Sequence, residues 1–199
     1  MTLDRFYPVV PDADWVERLL VWGASLIQLR IKGCPEPALL AQIERARDAC
    51  VAAGAQLVVN DHWQLALDTG CDFVHLGQED LAEADMAALR RAGIRIGIST
   101  HDHAELDRAL AEAPDYVALG PIYPTQLKQM PWAPQGLARI AEWKRLAGAR
   151  PLVAIGGLTV ARAELCLAAG ADCVAVVGDI VRHPDPSRQA GAWLAATRP

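Results

Sequence analysis

The sequence predicts an α/β chain folded as a (β/α)8 barrel, one compact domain spanning residues 1–199. Three observations predict it. Short runs rich in Val, Ile and Leu alternate with helix-like stretches from end to end. The runs are continuous rather than alternating, as strands buried on both faces should be. Glycines recur just past the helical stretches and hand the chain over to the next run. An open doubly wound sheet is the other topology compatible with this alternation.

The strand candidates, in order, are Arg5–Val10, Ser25–Arg30, Gln56–Asn60, Asp72–Leu76, Ile94–Ile98, Asp115–Leu119, Leu152–Ile155 and Cys173–Val177. Each has the length of a buried parallel strand. The stretches between them, such as Glu36–Ala53 and Thr159–Ala169, place apolar residues at helical spacing and carry no proline beyond the first turn. The handover is a quasi-repeat: Gly23-Ala24-Ser25-Leu26, Gly54-Ala55-Gln56-Leu57, Gly70-Cys71-Asp72-Phe73 and Gly170-Ala171-Asp172-Cys173. Residues 120–135, with Pro121, Pro124, Pro131 and Pro134, form the longest stretch without either pattern. Loops of that length usually carry function.

Composition excludes several classes. Apolar residues make up 52% of the chain, too many for a disordered protein. No apolar run reaches the ~18 residues a membrane helix needs, and Met1-Thr2-Leu3-Asp4-Arg5 lacks the features of a signal peptide. The five cysteines include no CxxC pair and read as free thiols in a reducing cytoplasm. A net charge of -5 argues against nucleic-acid binding. An acidic protein can hold a phosphate only through a local basic cluster, a metal, or backbone donors at helix N-termini. No sequence feature specifies an oligomeric state.

In a barrel the chemistry sits at the C-terminal ends of the strands. Two of those ends turn acidic: Val58-Val59-Asn60-Asp61 and Val74-His75-Leu76-Gly77-Gln78-Glu79-Asp80. Neighbouring strands lie about 4.8 Å apart, so Asp61 and Asp80 would project from one rim. Paired carboxylates beside Asn60 suit a hard divalent cation such as Mg2+. The alternative for each is helix capping, and Asp80 has capping-box spacing with Glu83.

The second strand ends Gln28-Leu29-Arg30-Ile31-Lys32, with Gln28, Arg30 and Lys32 on one face. Arg offers a planar fork for phosphate and Lys a point charge. A salt bridge to Asp61 is the other use for these cations. Ser99 can donate to a phosphate or cap the next helix, and Lys128 can reach over the barrel mouth. His75 reads as a core histidine, while His101 and His103 read as solvent-facing. Trp132 packs the long loop down or covers a ligand. After the last two strands, Gly156-Gly157 and Val177-Gly178 let backbone N–H groups approach a phosphate.

Taken together these residues resemble the thiamine-phosphate synthase family over nearly the whole chain. The resemblance rests on QLRIK at 28–32, ND at 60–61, HLGQED at 75–80, GIST at 97–100, GPIYPT at 120–125 and IGG at 155–157. It implies a (β/α)8 fold, Mg2+ dependence and two small-molecule substrates. Their condensation joins 4-amino-5-hydroxymethyl-2-methylpyrimidine diphosphate to a thiazole phosphate, giving thiamine phosphate and pyrophosphate. Carried over by motif, Gln28, Leu29, Arg30, Ile31, Lys32, Asn60, Ser99 and Lys128 hold the pyrimidine diphosphate, with Arg30, Lys32 and Lys128 catalytic. Asp61 and Asp80 are the implied metal ligands. Thr125, Gln126, Leu127, Gly157, Val177 and Gly178 are implied to surround the thiazole phosphate.

Two positions depart from the family pattern. Leu127 stands where the family has a second threonine, and Gly178-Asp179 stand where it has Ser-Ala. If Asp179 pointed inward it would repel the thiazole phosphate. Two other readings are a thiazole tautomerase, which has no pyrophosphate to neutralise, and a non-catalytic barrel that binds a pyrimidine phosphate or thiamine phosphate.

Overall fold

Eight parallel strands close on themselves in chain order. The computed structural model describes residues 2–125 and 132–198. The strands are β1 (Phe6–Val10), β2 (Leu26–Leu29), β3 (Gln56–Asn60), β4 (Phe73–Leu76), β5 (Arg95–Thr100), β6 (Tyr116–Leu119), β7 (Leu152–Ile155) and β8 (Cys173–Val176). The helices are α1 (Ala13–Val21), α2 (Glu36–Ala53), α3 (Trp63–Thr69), α4 (Gln78–Glu83), α5 (Met86–Arg91), α6 (His103–Ala111), α7 (Gly136–Ala147), α8 (Val160–Ala168), α9 (Gly178–Val181) and α10 (Pro186–Thr197). The closing pair is β1 with β8, in the register Phe6↔Val174 and Pro8↔Val176. Every strand therefore has two neighbours, and no edge is left to aggregate.

Alternation along the strands sorts the core into two compartments. Inward residues such as Tyr7, Val9, Leu26, Val58, Phe73, Tyr116, Val153 and Cys173 fill the barrel. Outward residues such as Phe6, Ile27, Leu29, Val59, Leu76 and Ile98 pack against helix residues including Leu19, Ile43, Trp143 and Trp193. The sheet is thus buried on both faces, which is why its strands read as continuous apolar runs.

Local chemistry fixes the helix ends. Asp12 caps α1 by accepting from the Trp15 amide (2.9 Å), and Asp102 caps α6 by accepting from Glu105 (2.9 Å). Gly54 and Gly70 end α2 and α3 in the left-handed region, at φ 64° and 71°. That conformation admits glycine at little cost, and it turns each helix back toward its strand. At the seam, Arg198 pairs with Asp4 (2.5 Å) and donates to the Gly23 carbonyl, tying the last helix to the start of the barrel.

Candidate active site at the strand ends

The mouth is built from residues at or just past the C-terminal strand ends. Asn60 is the last residue of β3 and is buried, 4% exposed. Its side chain has no partner among the described residues, and no fully buried side-chain N or O atom among them lacks one. The Asn60 amide therefore opens on the mouth with its hydrogen-bonding capacity unspent.

Asp61 follows directly. Its backbone lies in the left-handed region at φ 64°. A non-glycine residue there is uncommon, Asp and Asn being the side chains that tolerate it best. The turn swings the carboxylate over the rim, where Lys32 grips it. The Asp61 side chain is 13% exposed and that of Lys32 56%. Asp61 does not cap α3; His62 stands at that position with no side-chain cap bond. Asp80 is not a cap either, because α4 begins two residues before it, at Gln78. Asp80 instead turns back to share a hydrogen bond with Asp61. Gly77 makes room for this, since a Cβ there would come within 2.9 Å of the Asp80 carboxylate.

The two carboxyls titrate in opposite directions. Burial works to raise Asp61, but Lys32 and the Asp80 hydrogen bond overcome it and hold Asp61 below the ordinary carboxylate range. Burial, then the Asp61 charge and the shared hydrogen bond, raise Asp80. Two facing carboxyls whose titrations are driven apart are a pair that a divalent cation would suit. The donor set fits Mg2+, which is commonly held by one or two carboxylates with phosphate and water completing its shell. Among the described residues no third His, Cys, Asp or Glu joins the pair.

Around this rim the other expected residues fall into place unevenly. Gln28 is buried and faces the barrel interior, while Arg30 is exposed just beyond the end of β2. The Arg30 charge is among those acting on His75. Leu29 and Ile31 belong to the shell between strands and helices, so toward the mouth they offer backbone alone. Ser99 lies on β5 and accepts or donates at His75 Nε2 (2.7 Å). Gln126, Leu127 and Lys128 lie outside the described residues.

On the opposite side, residues after β6 run alongside the end of β7. The amides of Ile122 and Tyr123 donate to the carbonyls of Ile155 (2.9 Å) and Gly156 (3.0 Å). The approach is so close that a Cβ on Gly157 would sit 2.5 Å from the Pro124 carbonyl oxygen. Thr125 follows this segment, and Gly157 faces it. Val177 and Gly178 start the short helix α9 after β8, where the Ile180 amide already bonds the Val177 carbonyl (3.2 Å) and the Gly178 and Asp179 amides have no partner within the helix. Asp179 points the other way: its carboxylate accepts from Gln189 Nε2 (2.6 Å) and Trp193 Nε1 (2.8 Å) on α10. The inward orientation considered from sequence does not occur, because α10 supplies two donors on the outside.

Three further groups differ from expectation or were missed. His101 is not solvent-facing; it stacks on Trp132 at 5.5 Å and bonds Glu105 (2.7 Å). His103 is half exposed, as read, and meets Glu142 (2.7 Å). Tyr7 and Tyr116 were missed. Their hydroxyls meet at 3.0 Å inside the barrel, next to His75, which is buried as read. Burial raises both phenols and lowers His75 to about 4. With Gln28 and Ser99 these three line a cavity of about 30 Å³. A wider groove of about 370 Å³ lies on the exposed side of α1, lined by Asp14, Arg18 and Trp22 among others, without converging chemistry. The barrel mouth is therefore the candidate site.

Comparison with known proteins agrees with this geometry. A family model described as thiamine monophosphate synthase matches residues 6–180. A thiamine-phosphate synthase of Rhizobium etli is 61% identical over all of this chain and 98% of its own length. One from Neisseria meningitidis is 47% identical, covering 96% of this chain and 93% of the relative. Among solved structures, a thiamine phosphate pyrophosphorylase from Pyrococcus furiosus superposes with a TM-score of 0.84 at 26% identity, covering 98% of this chain and 95% of that one.

Proposed function

The chain belongs to the thiamine monophosphate synthase family, and from that premise we propose how its barrel mouth carries out the reaction. Its activity is that of a thiamine-phosphate synthase, a transferase of thiamine biosynthesis. The substrates are a pyrimidine diphosphate and a thiazole phosphate. The bond between the pyrimidine methylene carbon and the diphosphate oxygen breaks, the oxygen keeping the electron pair. The thiazole nitrogen supplies the pair for the new C–N bond.

The observation that carries this reading is the Asp61–Asp80 pair beside Lys32. Asp61 and Asp80 would hold Mg2+, which when bound neutralises charge on the leaving diphosphate. Lys32 and Arg30 stand at the same rim and add positive charge where negative charge develops. Lys128 is assigned the same task by its motif. Lys32 gives up its grip on Asp61 as phosphate oxygens arrive, an exchange of one anion for another. Asn60, Gln28 and Ser99 meet the pyrimidine side with unspent donors and acceptors. The thiazole phosphate rests against Gly157 and the start of α9, on the side where Thr125 follows β6; Gln126 and Leu127 are assigned to it by motif alone. This is where barrels often hold a phosphate. The outward Asp179 leaves that pole free of its charge. No covalent nucleophile is needed, because position and electrostatics suffice.

Small molecules are thus the partners. Among the described residues no helix is long and apolar enough to cross a membrane. The cysteines are free and four of them are buried, a use that suits a reducing cytoplasm.

The test combines purified protein with both substrates, with and without Mg2+, and measures thiamine phosphate and pyrophosphate. Equal amounts of both products, formed only with the metal, are expected. Tight binding of the pyrimidine diphosphate without turnover would replace this reading with the binding barrel. Metal-independent isomerisation of the thiazole would replace it with the tautomerase.

A further inference from the structure

Five side chains from five strands form one unbroken line of hydrogen bonds across the barrel. Gln28 Nε2 donates to the Tyr7 hydroxyl (2.9 Å), which meets the Tyr116 hydroxyl (3.0 Å). The Tyr116 hydroxyl meets His75 Nδ1 (2.6 Å), and His75 Nε2 meets Ser99 Oγ (2.7 Å). All except Ser99 are buried.

With Gln28 Nε2 turned to Tyr7, counting protons fixes the direction of every other bond in the line. An amide nitrogen only donates, so Tyr7 accepts from Gln28. A phenol has one proton, and the other partner of Tyr7 among the described residues is Tyr116, so Tyr7 donates there. Tyr116 then has one proton to place; the Gln28 amide nitrogen beside it can only donate, so the proton goes to His75 Nδ1. With Nδ1 accepting, the imidazole proton is on Nε2 and is donated to Ser99. Placing a second proton on His75 would leave a buried phenol proton with nowhere to go.

The two ends of the line face the cavity. Ser99 accepts from His75, so its own proton is directed out of the line. Gln28 spends Nε2 on Tyr7, and its Oε1 takes no partner among the described residues. No fully buried side-chain polar atom among them is unpartnered, so Oε1 opens on the cavity as well. The line reverses only as a whole. Turning the Gln28 amide over would invert each bond in turn and leave Ser99 presenting a lone pair.

We infer that Gln28 and Ser99 read the pyrimidine as a linked pair, an acceptor and a donor set together through Tyr7, Tyr116 and His75. These three are positioning residues. The pair fits a ring bearing an amino group and a bare ring nitrogen, and it mismatches the oxo counterpart, which presents a carbonyl and a ring N–H. The inference rests on the reading above that the pyrimidine diphosphate sits against this cavity.

The test compares two probes on the full chain, the 4-amino pyrimidine diphosphate and its 4-oxo analogue, by KM for the first and Ki for the second. The wild type should favour the amino ring by roughly 10–100-fold. Tyr116→Phe and Tyr7→Phe each cut the line, free the Gln28 amide to turn, and should bring the preference to about threefold or less, with the double variant falling no further. A merely structural loss would weaken both probes alike and leave the ratio where it was. Thermal unfolding checks that each variant is folded, and either variant suffices alone. A folded variant with the wild-type ratio overturns the inference, as does a wild-type preference below about threefold. Failure of the wild type to bind the amino diphosphate at all would instead overturn the functional reading.

Discussion

The ring of Tyr116 occupies the space that a side chain on Gly97 would need. The two are register partners on β5 and β6, so the strand pairing itself aims one at the other. Gly97→Ala should force the ring aside and destabilise the barrel by about 1–3 kcal/mol or more, as overpacking does. Denaturant unfolding measures it, and activity should fall with it because the cavity floor moves. An alanine variant as stable as the wild type would contradict the arrangement.

Asp80→Asn removes one of two facing carboxylates. The Mg2+ concentration for half-maximal activity should rise at least ~10-fold. Folding stability should change little, since the site is at the surface. In the wild type, Mg2+ affinity should weaken as pH falls toward the raised pKa of Asp80, because the cation needs both carboxyls bare. An affinity that stays flat down to about pH 4 would argue against Asp80 as a ligand.

His75 titrates at about 4 in the fold, against 6.5 when free. Burial is the main cause, with Arg30 reinforcing it and Asp61 opposing it. Below the free value the unfolded chain takes up a proton that the folded chain refuses. The stability tied to His75 is therefore whole above pH 6.5, and up to about 3 kcal/mol is lost as pH falls to 4. Urea midpoints measured across that window should show the slope in the wild type and lack it in His75→Gln. Equal slopes would assign the acid sensitivity to other groups.

Asp179→Ala should leave the indole N–H of Trp193 buried without an acceptor, at a cost of about 1–3 kcal/mol. Because the carboxylate faces α10, KM for the thiazole phosphate should stay within about twofold of wild type in the folded variant. A clear drop in KM would mean that Asp179 repels the phosphate after all.

Much of the fold was legible because parallel strands buried on both faces announce themselves as unbroken apolar runs. Gln56–Asn60 and Leu152–Ile155 stand as read. The fifth strand runs on to Thr100, two residues further, because Ser99 and Thr100 still find partners in Ala118 and Leu119. The acidic rim was legible for the same reason: strand ends mark the mouth, and Asp61 and Asp80 sit at two of them in succession. What could not be read was any relation that depends on closure. Tyr7 and Tyr116 are 109 residues apart and meet only when the barrel shuts. Their inward parity and the glycine opposite Tyr116 were the available signals. The orientation of Asp179 depended on where α10 packs, which no local pattern states. The stacking of His101 on Trp132 likewise joins segments that have no sequence relation.

The left-handed backbone at residue 61 constrains the history this position can have. A carboxylate held there can be exchanged with little strain for Asn or Gly, the residues that accept that conformation most readily. A β-branched residue would strain the turn and lift the neighbouring Asn60 out of place. The routes by which such a barrel can lose its cation are thus few. A descendant that abandons metal chemistry should carry Asp61→Asn or Asp61→Gly far more often than Asp61→Val, with the rest of the mouth left standing.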